Sequence, residues 1–181
     1  SDPQIHLLHR TQERGRGSAG RDGFLWALEN GYENCVEMDA DFSHHPKYLP
    51  AILKASENSD VVLGSRYVKG GNVSNWDMKR ILLSYFASLY VRLLLWIPVK
   101  DTTAGFKCYK RNVLESIELD QIKFMGYAFQ IEMKYRAVKK GFKIAEVPIM
   151  FTDRVLGVSK MSTKIFKEAF IVVLPLRFNK S

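Results

Sequence analysis

The sequence predicts an α/β protein in which a mostly parallel β-sheet is flanked by helices. Two observations support this fold class. Short apolar runs of strand length alternate along the chain with segments of helical character, at the spacing of strand–helix–strand units. Several of these runs end abruptly in charged or hydroxyl residues, as strands do where a parallel sheet binds its ligands. The 181 residues, 46% of them hydrophobic, suffice for a single domain over residues 1–181.

The first part of the chain predicts two strands and a helix. The apolar run Ile5–His9 is expected to form a strand, and residues 10–23 continue it as a basic, glycine-rich loop. A helix is expected over about Ser18–Asn30, with Gly31 as its C-terminal cap. Cys35–Met38 has the pattern of a buried strand.

The middle of the chain predicts two helices around a strand. Pro46 is favoured in a first turn, so a helix is expected over residues 46–56, and Val61–Ser65 follows as a buried strand. The longest helix is expected at Trp76–Ile97. Its apolar part nearly reaches membrane-spanning length, but Arg92 would cost about 2.5–3.5 kcal/mol at a bilayer centre. We expect this helix to pack against the domain or to lie in the membrane surface.

The last part predicts a turn, two strands and three helices. A final amphipathic helix, at about residues 162–178, mixes lysine with large apolar residues and is expected to touch lipid. In chain order, the elements before it are a turn at Asp101–Lys107, a strand through Tyr109, helices at Arg111–Ile117 and about Phe129–Lys140, a strand at Ile144–Phe151 and a basic loop at Asp153–Ser162.

Charge and cysteine content limit the classes of binding partner and the cellular compartment that we expect for this protein. The net charge of +8 favours an anionic partner, which leaves a phosphorylated small molecule, an anionic membrane surface and nucleic acid as candidates. Cys35 and Cys108 give neither a disulfide framework nor a zinc pattern. Both lie in apolar runs, so we expect buried, reduced thiols and a reducing compartment.

Two carboxylates follow the strand that ends near Met38. Asp39 and Asp41 are two residues apart, and side chains at that spacing in an extended segment point to the same side. Carboxylates so placed suit a hard divalent cation, which is commonly completed by substrate phosphates. A solvated turn is the competing interpretation, because Asp and Ser43 are turn-forming residues. Of the two histidines that follow, we expect His44 to assist near an ion and the next to be an exposed bystander.

The glycine-rich loop contains a G-x-G-x-x-G pattern at Gly15, Gly17 and Gly20, before the predicted helix. This pattern resembles a dinucleotide fingerprint. The preceding strand, however, ends near His9, several residues before the first glycine, which disfavours that interpretation. A helix start near Ser18 that favours a phosphorylated ligand remains the expectation.

Further polar residues stand at positions where an anion could bind. Arg66 ends a buried strand, and Arg80 and Ser84 lie four residues apart on one helix face. Arg154 and Lys160 lie in a basic loop. For each of these the alternative is a solvated surface residue. Gln130 and Glu132 stand early in a helix, where a Glu also favours the helix dipole.

Six short motifs occur in an order that resembles the polyprenol (dolichol) phosphate mannosyltransferases, which are inverting family-2 glycosyltransferases. The resemblance covers most of the chain, from about His9 to Phe170. The motifs are Glu37-Met-Asp-Ala-Asp-Phe-Ser-His, Gly64-Ser-Arg-Tyr-Val-x-Gly-Gly, Asp101-x-Thr-Ala-Gly-Phe-Lys, Gly126-Tyr-Ala-Phe-Gln-Ile-Glu-Met, Glu146-Val-Pro-Ile and Arg154-x-x-Gly-x-Ser-Lys-Met.

The resemblance implies an A-type nucleotide-diphosphosugar transferase fold with a Rossmann-like sheet, and a role for each candidate residue. It implies transfer of mannose from GDP-mannose to a polyprenyl phosphate, with Mg²⁺ or Mn²⁺ as cofactor and no nucleic acid partner. The expected metal ligands are Asp39, Asp41 and Ser43, the last at a place where some members carry Gln. Expected donor contacts are Gly15, Gly17, Ser18, Asp39, Ala40, Gln130 and Glu132, and expected lipid-phosphate contacts are Arg80, Ser84, Arg154 and Lys160. Asp39, Asp41 and Arg66 are the expected catalytic residues.

The same resemblance predicts a peripheral enzyme on the cytoplasmic side of a membrane, with a membrane-anchoring partner subunit as an option. The family's first strand–helix–strand unit, which binds the nucleotide, has no counterpart before Ser1, so we expect the catalytic domain to be incomplete at its N-terminus. Two alternatives remain open at this point: another donor such as UDP-glucose, and a non-catalytic, membrane-associated binding module.

Overall fold

A computed structural model describes residues 2–11, 15–124, 126, 128–153 and 173–178. These ranges contain five α-helices and six strands, and residues 173–178 are helical as well. The helices are α1 (Arg16–Glu29), α2 (Leu49–Ser56), α3 (Met78–Leu95), α4 (Arg111–Ile117) and α5 (Ala128–Lys139). The strands are β1 (Asn34–Glu37), β2 (Val61–Ser65), β3 (Asn72–Ser74), β4 (Lys107–Lys110), β5 (Ile144–Pro148) and β6 (Met150–Thr152).

The main sheet has the strand order β1-β4-β2-β5. β2 and β5 are parallel, whereas β4 runs antiparallel to both of its neighbours. Three of the four strands therefore share one direction, and their carboxyl ends lie at one edge. The α/β class is as predicted, with the unforeseen feature that an antiparallel strand separates β1 from β2.

The core lies on both faces of this sheet, because successive strand residues point to opposite sides. Val61, Leu63 and Tyr109 pack on one face against side chains of α1, α3, α4 and α5. Val62 and Cys108 pack on the other face around Ile52 of α2. Both cysteines are buried and free, as predicted. The sheet is thus covered by helices on both sides, which leaves its strand ends as the place for a site.

Several helix limits differ from the prediction by a few residues. α1 begins two residues early, at Arg16, and a 3₁₀ turn at Pro46–Tyr48 precedes α2. α3 is shorter than expected because the Asp77 carboxylate caps its start and Trp96, with φ 55°, ends it in the left-handed region. Of the final amphipathic helix predicted over about 162–178, residues 173–178 are helical and the others lie outside the described residues.

Two strand predictions are wrong. Ile5–His9 is not a strand, because no described strand pairs with it, and Ile5 and Leu7 are 76% and 90% exposed. The run Ile144–Phe151 forms two strands instead of one. Its pairing partner changes from β2 to β3 after Pro148, which brings Met150–Thr152 into a separate two-stranded parallel sheet.

α3 lies at the surface with an apolar outer side. Ser84, Ser88, Val91 and Leu95 form its buried side. At 3.6 residues per turn, the exposed large side chains fall together on another side, within an arc of about 160°. They are Met78, Leu82, Leu83, Tyr85, Phe86 and Leu93. No helix in the described ranges is both long and apolar enough to cross a membrane.

Candidate active site

Asp39 and Asp41 (the acid pair) lie beyond the carboxyl end of β1, as predicted, but in a turn instead of an extended segment. The turn covers residues 40–43, and Phe42 adopts a positive φ of 64° within it. Oδ1 of Asp41 accepts hydrogen bonds from the Ser43 backbone N–H at 3.1 Å and from the Ser43 hydroxyl at 2.6 Å. The hydroxyl of the buried Ser43 therefore orients the Asp41 carboxylate, and its role as a metal ligand stays a prediction.

Asp39 is held through both its side chain and its backbone. Nη2 of Arg16 lies 2.7 Å from Oδ1 of Asp39, and the Asp39 backbone N–H donates to Nδ1 of His44 at 2.9 Å. His44 is 3% exposed and stacks on Phe106 with ring centroids 5.1 Å apart. Burial lowers the pKa of His44 to about 4 against the opposing charge of Asp39. His44 is therefore a neutral acceptor beneath the acid pair, whereas His45 is exposed, as expected.

The glycine loop leads directly into α1. Gly15 precedes the helix with a φ of 151°, which favours glycine at that position. Gly17 and Ser18 are buried in the first turn, where the Ser18 hydroxyl donates to the Gly15 carbonyl and accepts from Arg10. Gly20 lies inside the helix, where a Cβ atom would lie only 3.1 Å from Oε2 of Glu37, and donor contacts of Gly15, Gly17 and Ser18 stay a prediction. The first turn of α1 delivers Arg16 to Asp39.

A buried ion pair adjoins the acid pair on the sheet. Nζ of Lys107 lies 2.9 Å from Oε2 of Glu37, and Lys107 also donates to the side-chain oxygen of Gln130. Gln130 in turn donates to Oε1 of Glu37 at 2.8 Å. Burial raises the pKa of Glu37, but Lys107, Gln130 and Arg16 together outweigh burial and leave that pKa below its ordinary value. Gln130 is thus part of a closed polar triangle with the two charges.

Glu132 does not share the surroundings of Gln130. Its carboxylate accepts from the backbone N–H groups of Lys123 and Phe124 and pairs with Arg136 at 2.8 Å. Residues two apart on an α-helix point about 200° away from each other, so the two side chains do not converge on one place. Contacts of Gln130 and Glu132 with a donor sugar stay a prediction.

Arg66, at the end of β2, forms a buried bidentate pair with Asp101. Its Nε and Nη2 atoms lie 2.7 and 2.6 Å from the two carboxylate oxygens, and Nη2 also reaches Thr103. Burial raises the pKa of Asp101, but Arg66 reverses the shift and lowers it. The guanidinium is thus neutralised by Asp101, and a direct role for Arg66 at donor phosphates stays a prediction.

Trp76 brings the two candidate arginines together. The guanidinium carbons of Arg66 and Arg80 lie 5.5 and 4.0 Å from the centroid of the Trp76 ring. Arg80 also pairs with Asp153, at the end of β6, with 2.5 Å between Nη1 and Oδ2. The other lipid-phosphate candidate on α3, Ser84, is buried and accepts a 2.6 Å hydrogen bond from the Tyr67 hydroxyl. Arg154 and Lys160 lie outside the described residues.

The acid pair fits a divalent cation whose coordination shell is completed from outside the protein. Within the ranges that the structure describes, no group of three or more His, Cys, Asp and Glu side chains could hold a metal ion. Two carboxylates, Asp39 and Asp41, are nevertheless the usual protein share of a magnesium site that also contains substrate phosphates. The positions of Asp39 and Asp41 are therefore compatible with binding of Mg²⁺ or Mn²⁺.

Sequence reasoning missed the partners of the predicted residues. Arg16 and Lys107 were not singled out, nor were Asp101 and Asp153 as ion-pair partners. A lysine inside an apolar strand was the one available signal, because a fully buried ammonium requires a partner. The remaining pairs join residues that are far apart in sequence, for example 35 residues in the pair of Arg66 with Asp101.

Relatives of known activity match nearly the whole chain. An undecaprenyl-phosphate mannosyltransferase from Micrococcus luteus is 47% identical over 172 residues, which is 95% of this chain and 71% of the relative. A polyprenol monophosphomannose synthase from Mycolicibacterium smegmatis is 47% identical over 175 residues, 96% of this chain and 66% of the relative. The predicted resemblance to polyprenol phosphate mannosyltransferases is confirmed by these relatives.

Solved structures confirm the predicted nucleotide-diphosphosugar fold. Glucosyl-3-phosphoglycerate synthase from Mycobacterium tuberculosis, in complex with Mn²⁺, UDP and phosphoglyceric acid, matches with a TM-score of 0.63 and 16% identity, over 95% of this chain and 57% of that one. Its complex with phosphoglyceric acid matches with a TM-score of 0.61 and 17% identity, over 99% and 59%. At this identity the likeness concerns the fold alone.

The family assignment rests on a third comparison. Residues 1–118, about two thirds of the chain, match the family described as glycosyl transferase family 2. Together with the two mannosyltransferase relatives, this match shows that the chain belongs to glycosyl transferase family 2.

Proposed function

We propose that this chain is the catalytic part of an enzyme that transfers mannose from GDP-mannose to a polyprenyl phosphate. The 47% identity to two enzymes named for polyprenyl-phosphate mannose synthesis, over at least 95% of the chain, carries the proposal. The arrangement of charges supports it. The acid pair and Arg66 follow β1 and β2, which point the same way, so they lie at one edge of the sheet.

The proposed reaction depends more on the stabilisation of negative charge than on proton transfer. A lipid monophosphate has a second pKa near 6, so it is largely dianionic at pH 7 and needs no strong general base. One phosphate oxygen attacks the anomeric carbon of mannose, and the bond from that carbon to the GDP diphosphate breaks on the opposite face. GDP leaves with the bonding electrons, and the configuration is inverted. The residues must therefore stabilise a leaving diphosphate and bring two anions together.

Two groups of residues are proposed to stabilise the leaving diphosphate and to bind the acceptor phosphate. Asp39 and Asp41 would hold Mg²⁺ or Mn²⁺, which neutralises the diphosphate as it leaves. Arg80, on its Trp76 ring, is the described cation best placed for the acceptor phosphate, together with Ser84. Arg154 and Lys160 are proposed to complete that site.

The apolar side of α3 supports a peripheral position on the membrane. The polyprenyl chain of the acceptor resides in lipid, so the site must approach the membrane surface. Large exposed apolar side chains run along α3 away from Arg80, and the chain carries a net charge of +8 that favours anionic lipid. We place the enzyme on the cytoplasmic side, with an anchoring partner subunit as a further option.

Transfer of radioactive mannose tests the proposal. Protein containing this chain is incubated with labelled GDP-mannose, polyprenyl phosphate and Mg²⁺, and label is expected in the organic phase. No label there would overturn the proposed activity, and label from UDP-glucose instead would overturn the donor. A control calorimetric titration with GDP separates an enzyme from a binding module, since only the former should show heat that depends on Mg²⁺.

A further inference from the structure

The contact between Arg16 and Asp39 occupies a carboxylate that the proposed function assigns to a metal ion. Nη2 of Arg16 lies 2.7 Å from Oδ1 of Asp39, and both side chains are about 70% buried, with 31% and 28% exposed. A divalent cation at Asp39 would stand beside this guanidinium. Like charges at such separation repel each other more strongly in a partly buried site than in bulk water, because less solvent screens them. A cation that binds Oδ1 of Asp39 therefore competes with Arg16 for that oxygen.

Asp39 is the member of the pair that is fixed. Its backbone N–H donates to Nδ1 of His44, and the His44 ring is held between Phe106 and Phe151, with centroid separations of 5.1 and 5.4 Å. The backbone of Asp39 thus stays in place when its carboxylate changes partner.

Arg16 is the member that can move. It is the first residue of α1, and its long side chain extends across Gly105. A Cβ atom at Gly105 would lie only 2.1 Å from Nη2 of Arg16, so the guanidinium occupies space that any other residue at 105 would fill. Burial lowers the pKa of Lys107 against the pull of Glu37, and the charge of Arg16 lowers it further, so the two cations lie within each other's field.

We propose that Arg16 is an exchangeable counter-ion that couples metal binding to diphosphate binding. In the site without ligands Arg16 neutralises Asp39. When a divalent cation takes the Asp39 carboxylate, Arg16 moves to the diphosphate of the sugar nucleotide. Metal and nucleotide then strengthen each other's binding by the same factor, because coupling between two sites is reciprocal. This inference rests on the proposed function and adds to it a residue and a coupling between metal binding and nucleotide binding.

Binding of Mn²⁺, measured by electron paramagnetic resonance with and without GDP, tests the inference without any turnover. A protein-free titration corrects for the Mn²⁺ that GDP holds in solution. In the unaltered protein we expect GDP to tighten Mn²⁺ binding about fivefold or more. Arg16→Gln should bind Mn²⁺ alone severalfold more tightly, and GDP should then tighten Mn²⁺ binding less than in the unaltered protein, because only direct phosphate ligation of the ion remains.

Two further variants test whether the effect on Mn²⁺ binding depends on where the Arg16 charge lies or only on whether a charge is present. Gly105→Ala should push the guanidinium off Asp39 while leaving Arg16 in the chain, and the backbone at 105 accepts an alanine because its φ is not positive. We expect tighter Mn²⁺ binding without GDP, as in Arg16→Gln, whereas Mn²⁺ binding with GDP should equal that of the unaltered protein, because Arg16 is still available to the diphosphate. Arg21→Gln removes the same charge from the same helix at a residue that pairs with Asp22, and should change neither value.

The outcomes distinguish this inference from the proposed function. If Arg16→Gln leaves Mn²⁺ binding without GDP unchanged or weaker, or keeps the full tightening by GDP, the counter-ion role is overturned while the metal site stands. If the unaltered protein and all variants bind no Mn²⁺ even with GDP, the metal-dependent donor site itself is overturned, and the inference with it.

Discussion

Lys107 and Glu37 stand opposite each other in the antiparallel pairing of β4 with β1, and Nζ of the lysine lies 2.9 Å from Oε2 of the glutamate. Lys107 is fully buried and lies 5.1–5.8 Å from the ring centroids of three aromatic residues, Phe24, Tyr109 and Phe129. The pair thus connects the hydrophobic core to the strand that carries the acid pair, two residues before Asp39.

Removing one member of this pair should destabilise the fold. Lys107→Met leaves the Glu37 carboxylate largely buried without its ammonium, and we expect a loss of about 3 kcal/mol in the free energy of unfolding. Urea denaturation measures the loss. The double variant with Glu37→Gln should recover most of it, because no uncompensated charge remains. A double variant as unstable as the single one would show that the lysine acts by packing alone.

Asp41→Asn should remove activity and keep the fold. Asparagine retains an oxygen that accepts from Ser43, so the turn survives, but it loses the charge that the cation requires. We expect turnover to fall about 100-fold or more, since a metal contributes several kcal/mol to the barrier. Transfer of labelled mannose and thermal melting are measured together. Asp120→Asn, at an exposed residue, is the control, and normal turnover in Asp41→Asn would contradict the metal assignment.

Arg80→Ala should impair use of the acceptor more than of the donor. The variant removes a cation that lies over Trp76 and pairs with Asp153. A lost charge-assisted hydrogen bond of about 1.5–3 kcal/mol corresponds to a rise of about 10-fold or more in KM for the lipid phosphate. KM for GDP-mannose should stay within about twofold. Lys79→Ala, on the same helix, controls for charge, and an equal rise of both KM values would refute the assignment.

The apolar side of α3 should hold the protein on membranes. Leu82→Gln together with Phe86→Gln should reduce co-sedimentation with vesicles of anionic phospholipid severalfold, because binding scales with buried apolar area. Leu53→Gln, at an exposed leucine of α2, should sediment like the unaltered protein. If the α3 variant sediments equally well, this side of the helix is not the membrane contact.

Cys108 should make the fold sensitive to alkaline pH. Burial raises the pKa of Cys108 from 9.0 to about 11. Between these values the unfolded chain has lost the thiol proton and the folded protein keeps it, so stability falls as pH rises through this window. Urea midpoints at intervals from pH 8 to pH 11 measure the slope. Cys108→Ala should have a shallower slope than the unaltered protein, and equal slopes would exclude this thiol as the cause.

The sequence predicts local elements well where a pattern ends in a clear stop. Arg111–Ile117 is helical to the residue, and Val61–Ser65 is a strand as expected. The direction of β4 was not predictable, because an apolar strand has the same residue pattern in a parallel and in an antiparallel pairing. Ile5–His9 has strand composition, but a strand also requires a neighbour, and none of the described strands supplies one.

The candidate site, like the fold, was predictable from the sequence only in part. The position of Asp39 and Asp41 at a strand end followed from their place after an apolar run. Their partners did not follow, because the contacts join positions that are remote in the chain. Nothing in the sequence pairs Arg66 with Asp101 in preference to a ligand, since a guanidinium suits a carboxylate and a phosphate equally well.

The central place of β4 has a consequence for how the chain acquires its structure. β1 and β2 are synthesised before β4, yet they do not hydrogen-bond to each other. Both pair with β4, which follows β1 by about 70 residues in the chain. Until residues 107–110 emerge, both strands present unpaired backbone edges, which invite aggregation. Contacts of such long sequence separation also slow folding. A nascent chain that stalls before β4 is therefore expected to be prone to aggregation.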